Sequence, residues 1–108
     1  MTITKIETEE QFNKLVEEDM FLLFKHSLTC PVSAEAFDHY QKYVEEHPQV
    51  KTAYLAVQEA RPLSNHVAET YEIKHQSPQA ILFENGKPAW NESHWRITYD
   101  SLDKVVSK

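Results

Sequence analysis

Met20-Phe21-Leu22-Leu23-Phe24-Lys25 is followed by His26-Ser27-Leu28-Thr29, and then by Cys30-Pro31-Val32-Ser33. These three pieces differ sharply in polarity. The first piece is almost wholly apolar, which suits a strand buried on both faces of a sheet better than an edge strand. The second breaks the pattern. From Pro31 onward Ala36, Phe37, Tyr40, Tyr43 and Val44 recur at helical intervals, so a helix is predicted that ends near His47-Pro48. A buried strand therefore hands over to a helix, with a cysteine at the junction.

The same reading extends in both directions. Upstream, Ile3 to Ile6 alternates as a short strand. Thr8 is placed to cap a helix with Glu9 and Glu10 in its first turn and Phe12, Leu15 and Val16 on its apolar face. Downstream, Val50 to Val57 reads as a strand, and Leu63 to Ile73 as a helix with apolar residues at 63, 67 and 71. Ala80 to Phe83 is a short strand after Ser77-Pro78. Asn85-Gly86 is a hairpin turn, and Pro88-Ala89-Trp90 opens the returning strand. Tyr99, Leu102, Val105 and Val106 close the chain as a helix. The order is β-α-β-α-β-α-β-β-α, an α/β fold. The βαβ units imply parallel pairing and the hairpin an antiparallel pair, giving a mixed central sheet with helices on both faces.

The 108 residues fit a single domain, 1-108, with no linker or repeat. Eleven basic against 17 acidic residues give a net charge of −6. That balance argues against nucleic acid or an anionic membrane surface as partner. No apolar run approaches the roughly 20 residues that span a bilayer. The first residues lack a basic-then-apolar signal, so a cytoplasmic location is expected, as is a monomer.

Cys30 is the sole cysteine, which excludes an internal disulfide and a multi-thiolate zinc site. It is either a small buried hydrophobe or a reactive thiol, and its position favours the second. Pro31 fits the first helical position, which makes Cys30 the N-cap. Its sulfur is expected to face the free amides of Val32 and Ser33 and the positive end of the helix dipole, both of which favour thiolate. The Ser33 hydroxyl is expected to donate to the sulfur, and Lys25 and His26 to add positive charge, with Glu35 opposing. Pro78 stands at the start of a strand, where a proline is tolerated and a cis bond is one use for it.

This order of elements, with a cysteine at the start of the second helix and a proline before the hairpin, resembles thioredoxin. The redox pair of that family needs a second cysteine, whereas here Ser33 follows in Cys30-Pro31-Val32-Ser33. Lys25-His26-Ser27-Leu28-Thr29-Cys30-Pro31-Val32-Ser33, His75-Gln76-Ser77-Pro78-Gln79 and Ser93-His94-Trp95-Arg96-Ile97-Thr98 resemble the monothiol bacilliredoxins, a bacterial family, from about Phe12 to the C-terminus. The resemblance implies a thiol-disulfide oxidoreductase that removes bacillithiol, a cysteine-glucosamine-malate thiol, from protein mixed disulfides. Cys30 would be the nucleophile, with Ser33 and a cis Pro78 beside it. Thr29, Pro31 and Ser77 would line the substrate side. The partners implied are bacillithiolated proteins, with bacillithiol as co-substrate, and neither metal nor nucleotide is needed. The alternative is a thioredoxin-like binding module or redox sensor whose Cys30 is modified without turnover. Cluster binding, as in some monothiol glutaredoxins, is weaker because no bridging residues stand out.

The six histidines show no ligand spacing and read as solvated or helix-end residues, His94 excepted. In a thioredoxin-like fold the loop carrying His94, Trp95 and Arg96 lies on the rim of the cysteine. Trp95 there is either a wall of the site or a filler under the last helix. Arg96 is either a partner for malate carboxylates or a solvated cation. Tyr40, Tyr43 and Trp90 read as packing, and Glu9-Glu10 and Glu45-Glu46 as solvated faces.

Overall fold

Side chains of a strand point alternately to opposite faces, and along β1 (Met20–His26) every residue from Phe21 to Lys25 is buried. Two layers must therefore cover this strand. The computed structural model describes residues 3–107 and shows how they do so. Phe21 and Leu23 face a cluster built from Phe12 of α1 (Glu9–Val16) and from Leu63 and Val67 of α3 (Arg61–Thr70). Leu22 and Phe24 face the other way, onto Ala36, Tyr40, Tyr43 and Val44 of α2 (Pro31–Glu46) and Leu102 and Val105 of α4 (Tyr99–Val106). The expected layering holds: two helices cover each face of the sheet.

Local signals account for most boundaries. The Thr8 hydroxyl accepts the Gln11 N–H at 3.2 Å while the Gln11 side chain accepts the Thr8 N–H at 3.1 Å, a capping box at the start of α1. Asn85 and Gly86 both have positive φ, 54° and 81°, as a tight two-residue hairpin requires. That turn joins β3 (Gln79–Glu84) to β4 (Lys87–Ser93). A short 3-10 turn, His94–Arg96, leads into α4. Among the described residues no helix is long and apolar enough to cross a membrane.

Three sequence expectations need correction. The strand expected at Ile3 to Ile6 is a single bridge, Lys5 to Tyr54, at the outer edge of β2 (Lys51–Ala56). The third helix stops at Thr70 and not near Ile73, and Glu72 follows with φ 53°. The direction of β3 differs as well. The sheet order is β2-β1-β3-β4, with β1 and β2 parallel, but β3 runs antiparallel to β1. α3 carries the chain away from the end where β2 finishes, and residues 71–78 bring it back. Ten helical residues span about 15 Å and eight extended ones up to about 26 Å, so the return is within reach. Gln79 then pairs with Lys25 near the C-terminal end of β1.

Phe12 is fully buried and meets Phe21, Tyr71 and Phe83 edge-to-face at centroid distances of 5.5–6.0 Å. Phe12→Ala should cost about 3–5 kcal/mol, read as a shift in urea midpoint with an unchanged slope. A cost under about 1 kcal/mol would show that this cluster does not hold α1 to the sheet.

Candidate functional site

Cys30 has extended backbone, φ −102° and ψ 121°, and Pro31 takes the first helical position. The first helical bond runs from Ala34 N–H to the Cys30 carbonyl at 3.1 Å. Cys30 is thus the N-cap of α2, as expected, and it is partly exposed. Its side chain makes no capping hydrogen bond, which corrects the expectation that the sulfur engages the Val32 and Ser33 amides.

Ser33 also differs from expectation. It is fully buried, and its hydroxyl accepts the Ser27 N–H at 2.8 Å and lies 2.8 Å from His26 Nδ1. The hydroxyl is spent inside the turn between β1 and α2, so it does not serve the sulfur. The reason is geometric: the third residue of α2 faces the end of β1, where the turn needs an acceptor. His26 stacks on Phe37 at 4.3 Å, and burial lowers its pKa below the ordinary imidazole value. That shift works against the expectation that His26 lends the thiol positive charge. From outside, Gln58 clamps the same turn. Its carbonyl accepts Leu28 N–H at 3.1 Å, and its amide donates to the Ser27 hydroxyl at 3.0 Å and the Thr29 hydroxyl at 3.4 Å.

The returning segment forms the second side. The Ser77-Pro78 bond is cis, as expected, and Pro78 is buried. Extending the Lys25–Gln79 rung outward sets Pro78 and Ser77 at the end of the sheet where β1 turns toward Cys30. Buried Gln79 braces the segment, with its amide donating to the Lys74 carbonyl at 3.1 Å and its oxygen 3.4 Å from the Gln76 N–H. The Ser77 hydroxyl is buried with no hydrogen-bond partner among the described residues.

The third side is the 3-10 turn, tied to the second by a bond from His94 N–H to the Pro78 carbonyl at 3.1 Å. His94 (φ 56°) and Trp95 line a cavity of about 70 Å³ with Val32, Glu35 and His39 of α2. Trp95 is 69% exposed, so it is no core filler, and Leu28, two residues before Cys30, is 50% exposed. Arg96 turns elsewhere. Its guanidinium stands 4.0 Å from Glu92, and it lines a separate groove with Trp90 and Lys104. His94 and Trp95 are thus brought to the α2 side of this rim, and Arg96 is not.

Two of the histidines read as bland have buried polar partners, His26 as above and His75. Lys25, expected to lend charge to the thiol, is completely buried on the α3 side of the sheet. Its ammonium donates to the Ser64 carbonyl at 3.0 Å and lies 3.4 Å from His75 Nδ1, which the Ser64 hydroxyl approaches at 3.3 Å. Burial lowers the lysine pKa to about 8. The His75 pKa is lowered by burial first, and then by the Lys25 and Arg61 cations. The sequence signals for these contacts were slight: one lysine in an apolar run, and a glutamine after a strand.

The fold and this cysteine-bearing rim define a single-cysteine oxidoreductase of the thioredoxin class. A solved structure described as a proposed oxidoreductase with a thioredoxin fold is 37% identical over 96% of this chain and 93% of its own, with a TM-score of 0.90. Mitochondrial thioredoxin 3 from Saccharomyces cerevisiae shares the fold at 19% identity, 97% and 93% coverage and a TM-score of 0.76. Thioredoxin from Trypanosoma brucei brucei does so at 16% identity, 99% and 93% coverage and 0.78. The family model of monothiol bacilliredoxin BrxC matches residues 3–102, and the chain belongs to that family.

Ser33→Ala should lower stability by about 1–3 kcal/mol, because it leaves the Ser27 N–H without its acceptor. Amide exchange at Ser27 should accelerate while exchange in β2 stays slow. A silent substitution would show that the Ser33 hydroxyl does not hold the turn.

Proposed function

We propose that the protein removes bacillithiol from protein mixed disulfides, with the Cys30 thiolate as nucleophile. The observation that supports this best is the placement of the chain's sole thiol. It is partly exposed at the start of α2, it makes no cap bond, and a serine already committed to the turn occupies the position of a resolving cysteine. A partner thiol held in the same chain is thereby excluded, and a one-thiol exchange remains.

The chemistry balances with thiols alone. The Cys30 thiolate attacks the bacillithiol sulfur of the mixed disulfide. That disulfide bond breaks, the target leaves as a thiolate and takes a proton, and a Cys30–bacillithiol disulfide forms. A second bacillithiol attacks the bound bacillithiol sulfur, which frees Cys30 and yields bacillithiol disulfide. The target is reduced, and the bacillithiol it carried leaves joined to one free bacillithiol as the disulfide. Bacillithiol is thus co-substrate, and the protein works as a monomer in a reducing cytoplasm.

In this reading exposed Leu28 and Trp95 give the target an apolar seat on either side of the thiol. The Ser77 backbone receives an extended target segment, adding a short strand. His94 borders the seat through its cavity beside Val32. Arg96 reaches the malate carboxylates only after leaving Glu92.

The test is intact mass after one equivalent of a bacillithiolated protein is added. The expected products are the free target and a chain heavier by one bacillithiol at Cys30. Cys30→Ser should give neither, at a nearly unchanged thermal midpoint, since the side chain makes no hydrogen bond. A covalent complex of Cys30 with the target itself would contradict attack at the bacillithiol sulfur.

A further inference from the structure

A lysine buried completely among apolar side chains needs a reason. A charged amine loses solvation there, and no carboxylate lies within ion-pairing distance of Lys25 among the described residues. A methionine would fill the space without that loss. The pKa direction has the same sense. Between about 8 and the ordinary 10.5 the unfolded chain binds the proton and the folded chain releases it, so stability rises with pH across that window. Below it, at neutral pH, the charged lysine weakens the fold. Residues that cost stability are found where function requires them.

The partners of the ammonium show what it does. Ser64 belongs to α3, and His75 to the segment that returns from α3 to β3. An ammonium has donors and no lone pair, so His75 Nδ1 must be the acceptor and its proton must sit on Nε2. The Ser64 hydroxyl lies 3.3 Å from the same nitrogen and can donate to it as well. Two residues beyond His75 comes Ser77, and Gln79, which braces that segment, is the ladder partner of Lys25 itself. The backbone of Lys25 thus fixes one end of the segment and its side chain the other. Arg61, whose cation also acts on His75, lies at the start of α3 and adds no competing acceptor.

We propose that Lys25 is a positioning residue of the thiol site: its buried ammonium, held by the Ser64 carbonyl and His75 Nδ1, sets the segment that presents Ser77 and Pro78 beside the Cys30 end of β1. It touches neither substrate nor sulfur. This role rests on the thiol exchange proposed for Cys30, but the tether it acts through can be measured without it.

Lys25→Met tests the tether. At neutral pH the urea midpoint should stay or rise, and the His75 pKa, followed by NMR, should rise because its neighbouring cation is gone. Amide exchange at Gln76 and His94, whose N–H groups bond to the Gln79 side chain and the Pro78 carbonyl, should quicken about tenfold or more while β1 core amides keep their rates. The rate with a bacillithiolated protein should fall about tenfold, whereas iodoacetamide alkylation of Cys30, which needs no docking, should not change. An unmoved His75 pKa, or a lower midpoint with exchange faster throughout, would overturn the proposal and leave Lys25 a structural residue. Should Lys25→Met fail to fold, His75→Phe removes the acceptor from the other side and must give the same local exchange. A wild-type protein inert toward the mixed disulfide would refute the exchange reading, and the NMR results would still decide the tether.

Discussion

The antiparallel pairing of β3 with β1 brings the segments around Cys30 to one end of the sheet. β1 ends at the middle of the sheet and turns directly into α2, so its C-terminal end carries Cys30. Had β3 run parallel to β1, Pro78 would enter the sheet at the far end, roughly 20 Å away for a seven-residue strand. Instead α3 carries the chain away and residues 71–78 return it. The Lys25–Gln79 rung then locks the return. From that rung outward Ser77 and Pro78 face the Cys30 end, and the bond from His94 N–H to the Pro78 carbonyl draws in the third segment.

That end of the sheet is also where the core stops being apolar. Apart from the tyrosines, the fully buried polar or charged residues among the described ones are Lys25, Ser33, Ser64 and Gln79. All four belong to the elements that meet there. Ser33 closes the turn before α2, Gln79 braces the segment before β3, and Lys25 with Ser64 ties that segment to α3. Buried polar groups are tolerable when their partners are present, and such connected networks fix one arrangement where apolar packing would accept several. The turn bearing Cys30 is held from inside by Ser33 and from outside by Gln58, which leaves the sulfur itself unencumbered.

Most of the architecture was legible because it rests on local rules. The apolar run of β1, the Thr8 cap, Asn85-Gly86 and the Cys30-Pro31 junction are read within a few residues each. The cis bond and the thioredoxin-like order followed from the same signals together with the family resemblance. What escaped was set by long-range geometry. Periodicity does not tell whether a chain returns after a helix, so the direction of β3 was missed. A lone edge bridge at Lys5 has the same alternation as a full strand. Ser33 reads as a sulfur partner until its burial shows that the turn needs it more. Lys25 and Gln58 find their partners about 30–40 residues away, where no local pattern points. Trp95 and Arg96 are adjacent in sequence, yet one lies on the rim and the other turns to Glu92.

In the proposed cycle one thiol, served by a second thiol from solution, turns over. The direct measurement supplies a labelled bacillithiolated protein in large excess over the enzyme, with free bacillithiol present, and counts target thiols released per Cys30. Continued release far beyond one equivalent, in step with bacillithiol disulfide formation, is the predicted result. A burst of one equivalent followed by no further release would contradict the account and make the chain a sensor that records the modification without removing it.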